Sequence, residues 1–358
     1  MTQHSTQTGG ESTATTPLLS GLRLERARSS SLFGADGRFH NPSGLGPRLQ
    51  GPPWPVMRDF VLGAGRRRPD RPLPVESPLP TWVRSVQSGL RLTWLGHSTV
   101  LVEIDGVRVL TDPVFGERVS PVSFSGPKRF HRTPAALTQL PPLDAVLLSH
   151  DHYDHLCASS MRHIAKLDVP VITSLGVGAR LEGLGVDPQR IVELDWWEDY
   201  TLPGGALRFT ATPAQHFSGR TLLDRNRTLW SSWVMTTAER RVFFSGDTGL
   251  TDEFAEVGQR FGPFDVVMVE IGAFHPAWGS IHLGPENALR ACAMLRGDAL
   301  FPVHWSTFDL ALHAWDEPAE TLVRLAAQSG QRVLTPRLGR PFEVAHVEGV
   351  DPWWRATR

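Results

Sequence analysis

Cysteine is nearly absent from the 358-residue sequence, with Cys157 and Cys292 the only two. Their wide separation gives neither a disulfide framework nor a Cys-based zinc site, and a reducing compartment is the simpler expectation. Lysine is as scarce: Lys128 and Lys166 stand alone among 36 basic residues, so arginine carries the positive charge. The net charge is −1, and this balance argues against the basic surface of a dedicated nucleic-acid binder. Long apolar runs are missing too. Nothing approaches the roughly 20 residues that span a bilayer. Met1–Thr16 is rich in Thr, Ser, Gln and Gly and lacks the apolar core of a signal peptide. A cytoplasmic protein is expected, with peripheral contact at the inner membrane face left open.

Hydrophobic residues make up 41% and charged residues 20%, a balance that supports a packed core. Residues 1–35 are polar and expected to be disordered. Residues 36–88, rich in Pro, Gly and Arg, are expected to form an arm packed on the core. Trp54, Val56, Met57, Phe60 and Val61 are its expected anchors, with a short helix near Met57–Leu62. From residue 89 to 358 the pattern is that of one large domain. Leu92–Leu95, Val100–Ile104 and Val107–Leu110 read as strands, the last two joined by the hairpin pair Asp105-Gly106. Further strands are expected at 145–149, 169–173, 207–212, 230–236, 242–245, 266–271 and 299–304. Helical patterns cover 159–166, 252–261, 285–295 and 318–328, with Pro285 and Pro318 suited to first turns. Hairpins followed by alternating strands and helices predict an α/β domain with mixed sheets.

The strongest chemical signal lies where the apolar Ala145–Leu148 runs into Ser149-His150-Asp151-His152-Tyr153-Asp154-His155. Imidazole and carboxylate suit a zinc-like ion. In an extended backbone His150 and His152 share a face, and Asp154 and His155 project from the following turn toward a second ion. Two ions need more ligands. His216, Asp247 and His304 each follow a predicted strand, and a carboxylate such as Asp247 can bridge two cations.

With these residues the chain resembles the metallo-β-lactamase superfamily. Within it, the chain is similar to the branch of N-acyl-phosphatidylethanolamine-hydrolysing phospholipase D and its bacterial relatives. The resemblance runs from about Trp94 to Pro318. It is carried by the His-x-His-x-Asp-His run together with Thr93–Thr99, Leu110–Phe115, Gly126–Phe130, Gly246–Gly249, Ile271–Ala273 and Val303–Phe308. It implies an αβ/βα sandwich of two mixed sheets flanked by helices. It also implies two ligand sets: His150, His152 and His216 for one metal, and Asp154, His155 and His304 for the other, with Asp247 between them. His282 falls at the position of a histidine near the reacting group, and His97 and Asp112 at positions that support the ligands. His131, His163, His275 and His313 carry weaker claims, with a surface or packing role expected for His313. Trp278 is the aromatic best placed to line a pocket.

The expected function is therefore that of a binuclear metal-dependent hydrolase with two Zn²⁺; Mn²⁺ or Fe²⁺ suit the same ligands. A water between two such ions loses a proton near neutral pH, with Asp154, Asp247 and His282 as the catalytic side chains. By resemblance the substrate is a phosphodiester of the N-acyl-phosphatidylethanolamine type. A metal-dependent lactonase or esterase on a soluble metabolite is the alternative, and a non-catalytic metal-binding sensor or scaffold the alternative of another class. Expected partners are a small-molecule or lipid substrate and no nucleic acid. Transient contact with a membrane surface and a homodimer are left open.

Overall fold

A computed structural model describes residues 19–46 and 66–357 except 123, 222 and 348, together with Trp54, Val56 and Arg58. Fourteen strands are described, in two sheets of seven. The first sheet contains β1 (Leu90–Gly96), β2 (Thr99–Ile104), β3 (Val107–Thr111), β4 (Ala145–Leu147), β5 (Val171–Ser174), β6 (Ile191–Leu194) and β14 (Phe342–Glu343), in the order β14-β1-β2-β3-β4-β5-β6. The second contains β7 (Asp199–Thr201), β8 (Arg208–Thr212), β9 (Ser232–Thr236), β10 (Arg241–Phe244), β11 (Phe264–Glu270), β12 (Gly297–Val303) and β13 (Arg332–Val333), in the order β13-β12-β11-β10-β9-β8-β7. Each sheet is mixed. The strands β1, β2 and β3 pair antiparallel, and β3 to β6 pair parallel. In the second sheet β7 to β10 are antiparallel, and β10 to β13 are parallel.

Side chains alternate across a strand, and the first sheet uses both faces. Leu92, Trp94, Val100, Val102, Ile104 and Val109 meet Phe209, Phe244 and Phe301 of the second sheet in one core, with Trp94 edge-on to Phe301. Leu101, Leu110, Val146 and Val171 point the other way, onto Met161 and Ile164 of α3 (Ala158–Ile164) and Leu181 of α4 (Gly178–Glu182). On the second sheet the cover comes from α5 (Glu253–Phe261), α6 (Gly284–Met294) and α7 (Glu317–Ser329), through Phe254, Val257, Ala288, Ala291 and Leu322. With both faces covered, the central strands read as continuous apolar runs, which is why the sequence shows them. The architecture is the expected αβ/βα sandwich.

Two expectations for the N-terminal region need correction. Residues 19–35 are not featureless: they carry α1 (Gly21–Arg28). Ala27 is buried, Arg23 reaches Glu182 at 2.8 Å and also pairs with Glu193, and Arg26 pairs with Glu198. Partners so distant in sequence leave no trace in local composition. Residues 1–18 lie outside the described residues. The arm is anchored by Phe39, Leu73 and Trp82, the last in α2 (Leu79–Trp82), whereas Trp54 is 70% exposed and anchors nothing. Except for Arg58, the expected helix at Met57–Leu62 lies outside the described residues.

Candidate metal centre

The ends of several strands converge on one rim between the sheets. The loop after β4 brings His150, His152, Asp154 and His155. The second sheet contributes His216 after β8, Asp247 after β10, Glu270 at the end of β11 and His304 after β12. His97 in the β1–β2 turn, Asp112 after β3 and His304 all have positive φ, of 55°, 32° and 63°. Strained backbone of this kind is retained where a site needs a side chain aimed in one direction. Gly272 has a plain steric role: a Cβ there would lie 2.1 Å from the His304 carbonyl oxygen, so only glycine lets these strand ends approach.

Three groups of ligand atoms form at this rim, each within 4.8 Å. One is His150, His152, His216 and Asp247; another is His97, Asp154, His155 and His304; the third is Asp247, Glu270, His282 and His304. Within the first, His150 Nε2 and His216 Nε2 lie 2.8 and 3.3 Å from His152 Nδ1. Asp247 stands between the first two groups. Its Oδ2 is 3.9 Å from His150 Nε2, 3.7 Å from His216 Nε2 and 3.1 Å from His155 Nε2, and its Oδ1 is 3.1 Å from His304 Nε2. Asp154 Oδ2 lies 3.6 Å from His155 Nε2 and 3.3 Å from His304 Nε2. The seven residues expected to hold metal thus share one buried site.

The donor chemistry fits cations. His155 Nε2, His304 Nε2 and Asp247 Oδ1 are buried with no aligned hydrogen-bond partner among the described residues. Burial holds His150 and His216 well below the usual histidine range and so leaves them neutral. Burial works against a charge on His155 and His304 as well, but the Asp247 carboxylate outweighs it. His155 is held well above its usual range and His304 is raised to about 10. A proton there competes with a metal for the same lone pair. Asp154 and Asp247 stay well below the usual carboxylate range: burial opposes their charge, and His155 with its neighbouring imidazoles overcomes it.

Hydrogen bonds behind the ligands fix their orientation. Asp112 Oδ2 lies 2.6 Å from His155 Nδ1 and accepts from Ser149 Oγ at 2.6 Å, and Ser149 Oγ sits 2.9 Å from His150 Nδ1. His216 Nδ1 donates to the Ile281 carbonyl at 2.9 Å, which leaves Nε2 for a cation. His97, lowered to about 3 by burial, donates Nε2–H to Asp154 Oδ2 at 3.0 Å.

Two supporting groups escaped the sequence analysis. Asp151 is fully buried inside the ligand loop, where Arg180 Nε donates to it at 3.1 Å and Gly219 N at 2.8 Å. Arg220 donates to the carbonyls of Asp151 and Leu156 and lies 3.8 Å over the Tyr153 ring. Glu270 was missed although it is the only acid in the buried run Val266–Ile271. Its Oε2 accepts from His282 Nδ1 at 2.6 Å, and its Oε1 accepts from Thr248 N at 2.7 Å. Burial lowers a histidine, but the Glu270 charge outweighs it and raises His282.

His282 and Trp278 line one cavity of about 160 Å³ with Phe274, Ile281 and Leu283. The weaker histidine candidates separate. His131, lowered to about 3 by burial, packs against the Arg132 carbonyl, and His275 Nδ1 accepts from Ala277 N. His163 sits in the last turn of α3. His313 is half-buried, with its ring stacked on Phe274, and it lines a cavity beside His304. Trp230 and Trp233 are core residues.

Residues 107–305, more than half the chain, match the model of the beta-lactamase superfamily domain. The chain belongs to the metallo-β-lactamase superfamily. Within the superfamily it is 44% identical to an uncharacterized protein of Mycobacterium tuberculosis, over 84% of this chain and 80% of that one. It is 39% identical to N-acyl-phosphatidylethanolamine-hydrolyzing phospholipase D 1 of Caenorhabditis elegans, over 67% of this chain and 70% of that one. These relatives place it in the phospholipase D branch of the superfamily. A solved isothiocyanate hydrolase from Delia radicum gut bacteria shares the fold, with a TM-score of 0.57 at 22% identity over 71% of this chain and 99% of that one. The superfamily membership and the buried His/Asp groups make this chain a metal-dependent hydrolase.

Proposed function

We propose that this hydrolase is a two-zinc phosphodiesterase of phospholipase D type, acting on N-acyl-phosphatidylethanolamine-like lipids. One observation carries the two-metal reading: Asp247 stands between two His/Asp groups and lies within 3.9 Å of ligand nitrogens in both. The relatives named as phospholipases D support the substrate class. His150, His152 and His216 would hold one ion, Asp154, His155 and His304 the other, with Asp247 shared. When bound, such ions polarise a phosphoryl oxygen and lower the pKa of a water.

The protein groups do the rest. The imidazole of His97 holds one oxygen of Asp154 in place. Glu270 takes the Nδ1–H of His282, so Nε2 is the ring atom left to face a substrate. In this proposal His282, kept protonated by Glu270, donates Nε2–H to the departing alkoxide. The cavity lined by Trp278 adjoins that histidine and receives an apolar part of the substrate. The proposal includes a cytoplasmic protein that meets lipid at a membrane surface; among the described residues, no helix is long and apolar enough to cross one.

The test is a metal count by elemental analysis on protein that is then assayed with phosphodiesters, including N-acyl-phosphatidylethanolamine, and with lactones. About two zinc per chain and phosphodiester turnover are expected. Asp247→Ala should fall below one metal per chain and lose at least about 10³-fold in kcat, since both ions lose a ligand. Lactone turnover alone would keep the metal centre and overturn the phosphodiester assignment. Metal bound without any turnover would leave a sensor or scaffold.

A further inference from the structure

Beside His304 lies a second cavity that the two-metal chemistry does not use. It measures about 20 Å³, room for about one water-sized group. Arg67, Ala273, His304, Ser306, Asp309, His313 and Trp315 are among the residues that line it, and the Asp309 carboxylate is already held by Arg68 at 3.1 Å. Besides the ligand His304, three of these residues hold a buried polar atom with no hydrogen-bond partner among the described residues: Ser306 Oγ, His313 Nε2 and Trp315 Nε1. Buried polar groups are rarely left this way, and three around one small cavity point to a ligand. The backbone agrees. Ala273, His304 and Ser306 all take positive φ, of 54°, 63° and 55°, and strain of this kind clusters at ligand sites.

The hydrogen-bonding pattern selects the ligand. His313 Nδ1 lies 2.9 Å from the Ala314 carbonyl oxygen. A carbonyl can only accept, so Nδ1 carries the proton. Burial lowers the ring's pKa and keeps it neutral, so Nε2 is a bare acceptor. The Trp315 indole N–H can only donate, and the Ser306 hydroxyl does either. The complement is a small group that gives a proton and accepts others, which describes the O–H of a water or of an alcohol that displaces it. An ammonium has no lone pair for Trp315, a phosphate oxygen has no proton for His313, and an alkyl group satisfies neither.

We propose that Ser306, His313 and Trp315 form a subsite beside His304 that receives a hydroxyl of the substrate, so that phosphodiesters with a free hydroxyl on the alcohol group, such as monoacyl lipids with an unesterified glycerol hydroxyl, are preferred over the fully acylated lipid. This rests on the hydrolase assignment above and adds the chemical group that sits next to the bond to be broken. A site built around hydrogen bonds to a hydroxyl rejects the analogue without it, because its own polar atoms are then left unpaired.

The experiment compares 3-hydroxypropyl and propyl p-nitrophenyl phosphate on the zinc-loaded full-length protein. In parallel it compares β-hydroxy-γ-butyrolactone with γ-butyrolactone. Wild type should favour the hydroxylated member of a pair by about tenfold or more in kcat/KM. The ratio should fall to within about twofold in His313→Phe and in Ser306→Ala. His313→Gln, whose amide can still accept, should keep part of it. The ratio is taken within each variant, so a general loss of activity cancels, and the Gln variant serves if the Phe variant does not fold. A wild-type ratio near one in every pair that is turned over would overturn the subsite and leave the cavity to an ordered water. A selective lactonase without phosphodiesterase activity would keep the subsite and remove the phosphodiester assignment. Metal-loaded protein that hydrolyses neither class would overturn both.

Discussion

His155 and His304 can hold either a proton or a metal, and the two occupants respond to pH in opposite ways. In metal-free protein, the His304 pKa is raised from an ordinary 6.5 to about 10 by Asp247, against the effect of burial. Its stabilising pair is therefore complete below 6.5 and is lost as pH rises through about 10. A metal needs these rings deprotonated, so metal affinity rises over the same interval. Thermal melts from pH 6.5 to 10 should show the Tm of EDTA-treated protein falling while zinc stabilisation grows. Parallel curves would contradict the assignment of these two rings as ligands. Glu270 gives a second test at this scale. Glu270→Gln removes the charge that keeps His282 protonated. The expected result is near-normal metal content, a loss of about 10–100-fold in kcat, and an alkaline limb of the kcat profile shifted to lower pH. An unshifted limb would mean that His282 is not the acid.

Among the elements, the legible ones were those with an apolar run or a helical period. The strands β4, β10, β11 and β12 and the helices α5, α6 and α7 stand within a few residues of where the sequence put them. The four strands that it missed, β6, β7, β13 and β14, are the outer edges of the two sheets. Edge strands here are two to four residues long and half exposed, so they carry no apolar run to recognise. The site divides along similar lines. The ligands in positions 150–155 announce themselves by proximity in sequence. Glu270 and His282, or Asp151 and Arg180, become partners only when the chain folds, and neither member of such a pair is unusual alone. Helix α1 was hidden for the same reason, because its arginines find acids about 160 residues and more away. Arg23→Ala leaves the buried Glu193 with the Gly178 N–H at 2.8 Å as its remaining hydrogen bond from α4. It should cost about 1.5–3 kcal/mol in urea unfolding, and a cost near zero would mean that α1 is only laid on the surface.

In the whole molecule, one apolar core runs from between the facing sheets to the helices behind the second sheet, and Phe243 sits on its helix side, edge-on to Phe254 of α5 and to Phe264. Phe243→Ala should destabilise by about 3–5 kcal/mol, measured on metal-free protein so that ligand binding does not mask the loss. A loss under about 1 kcal/mol would show that α5 is not held onto the second sheet there.

The distribution of ligands between the sheets also bears on the order of events during synthesis. His150, His152, Asp154 and His155 emerge from the ribosome together, but His216 and Asp247 follow later, and His304 is the last of the seven. A nascent chain that has passed β10 already carries His150, His152, His216 and Asp247 for one ion, yet the second ion lacks His304 until β12 is in place. Capture of the second ion is therefore the later event, and a ribosome-bound fragment ending before His304 should retain about one metal fewer than the released protein.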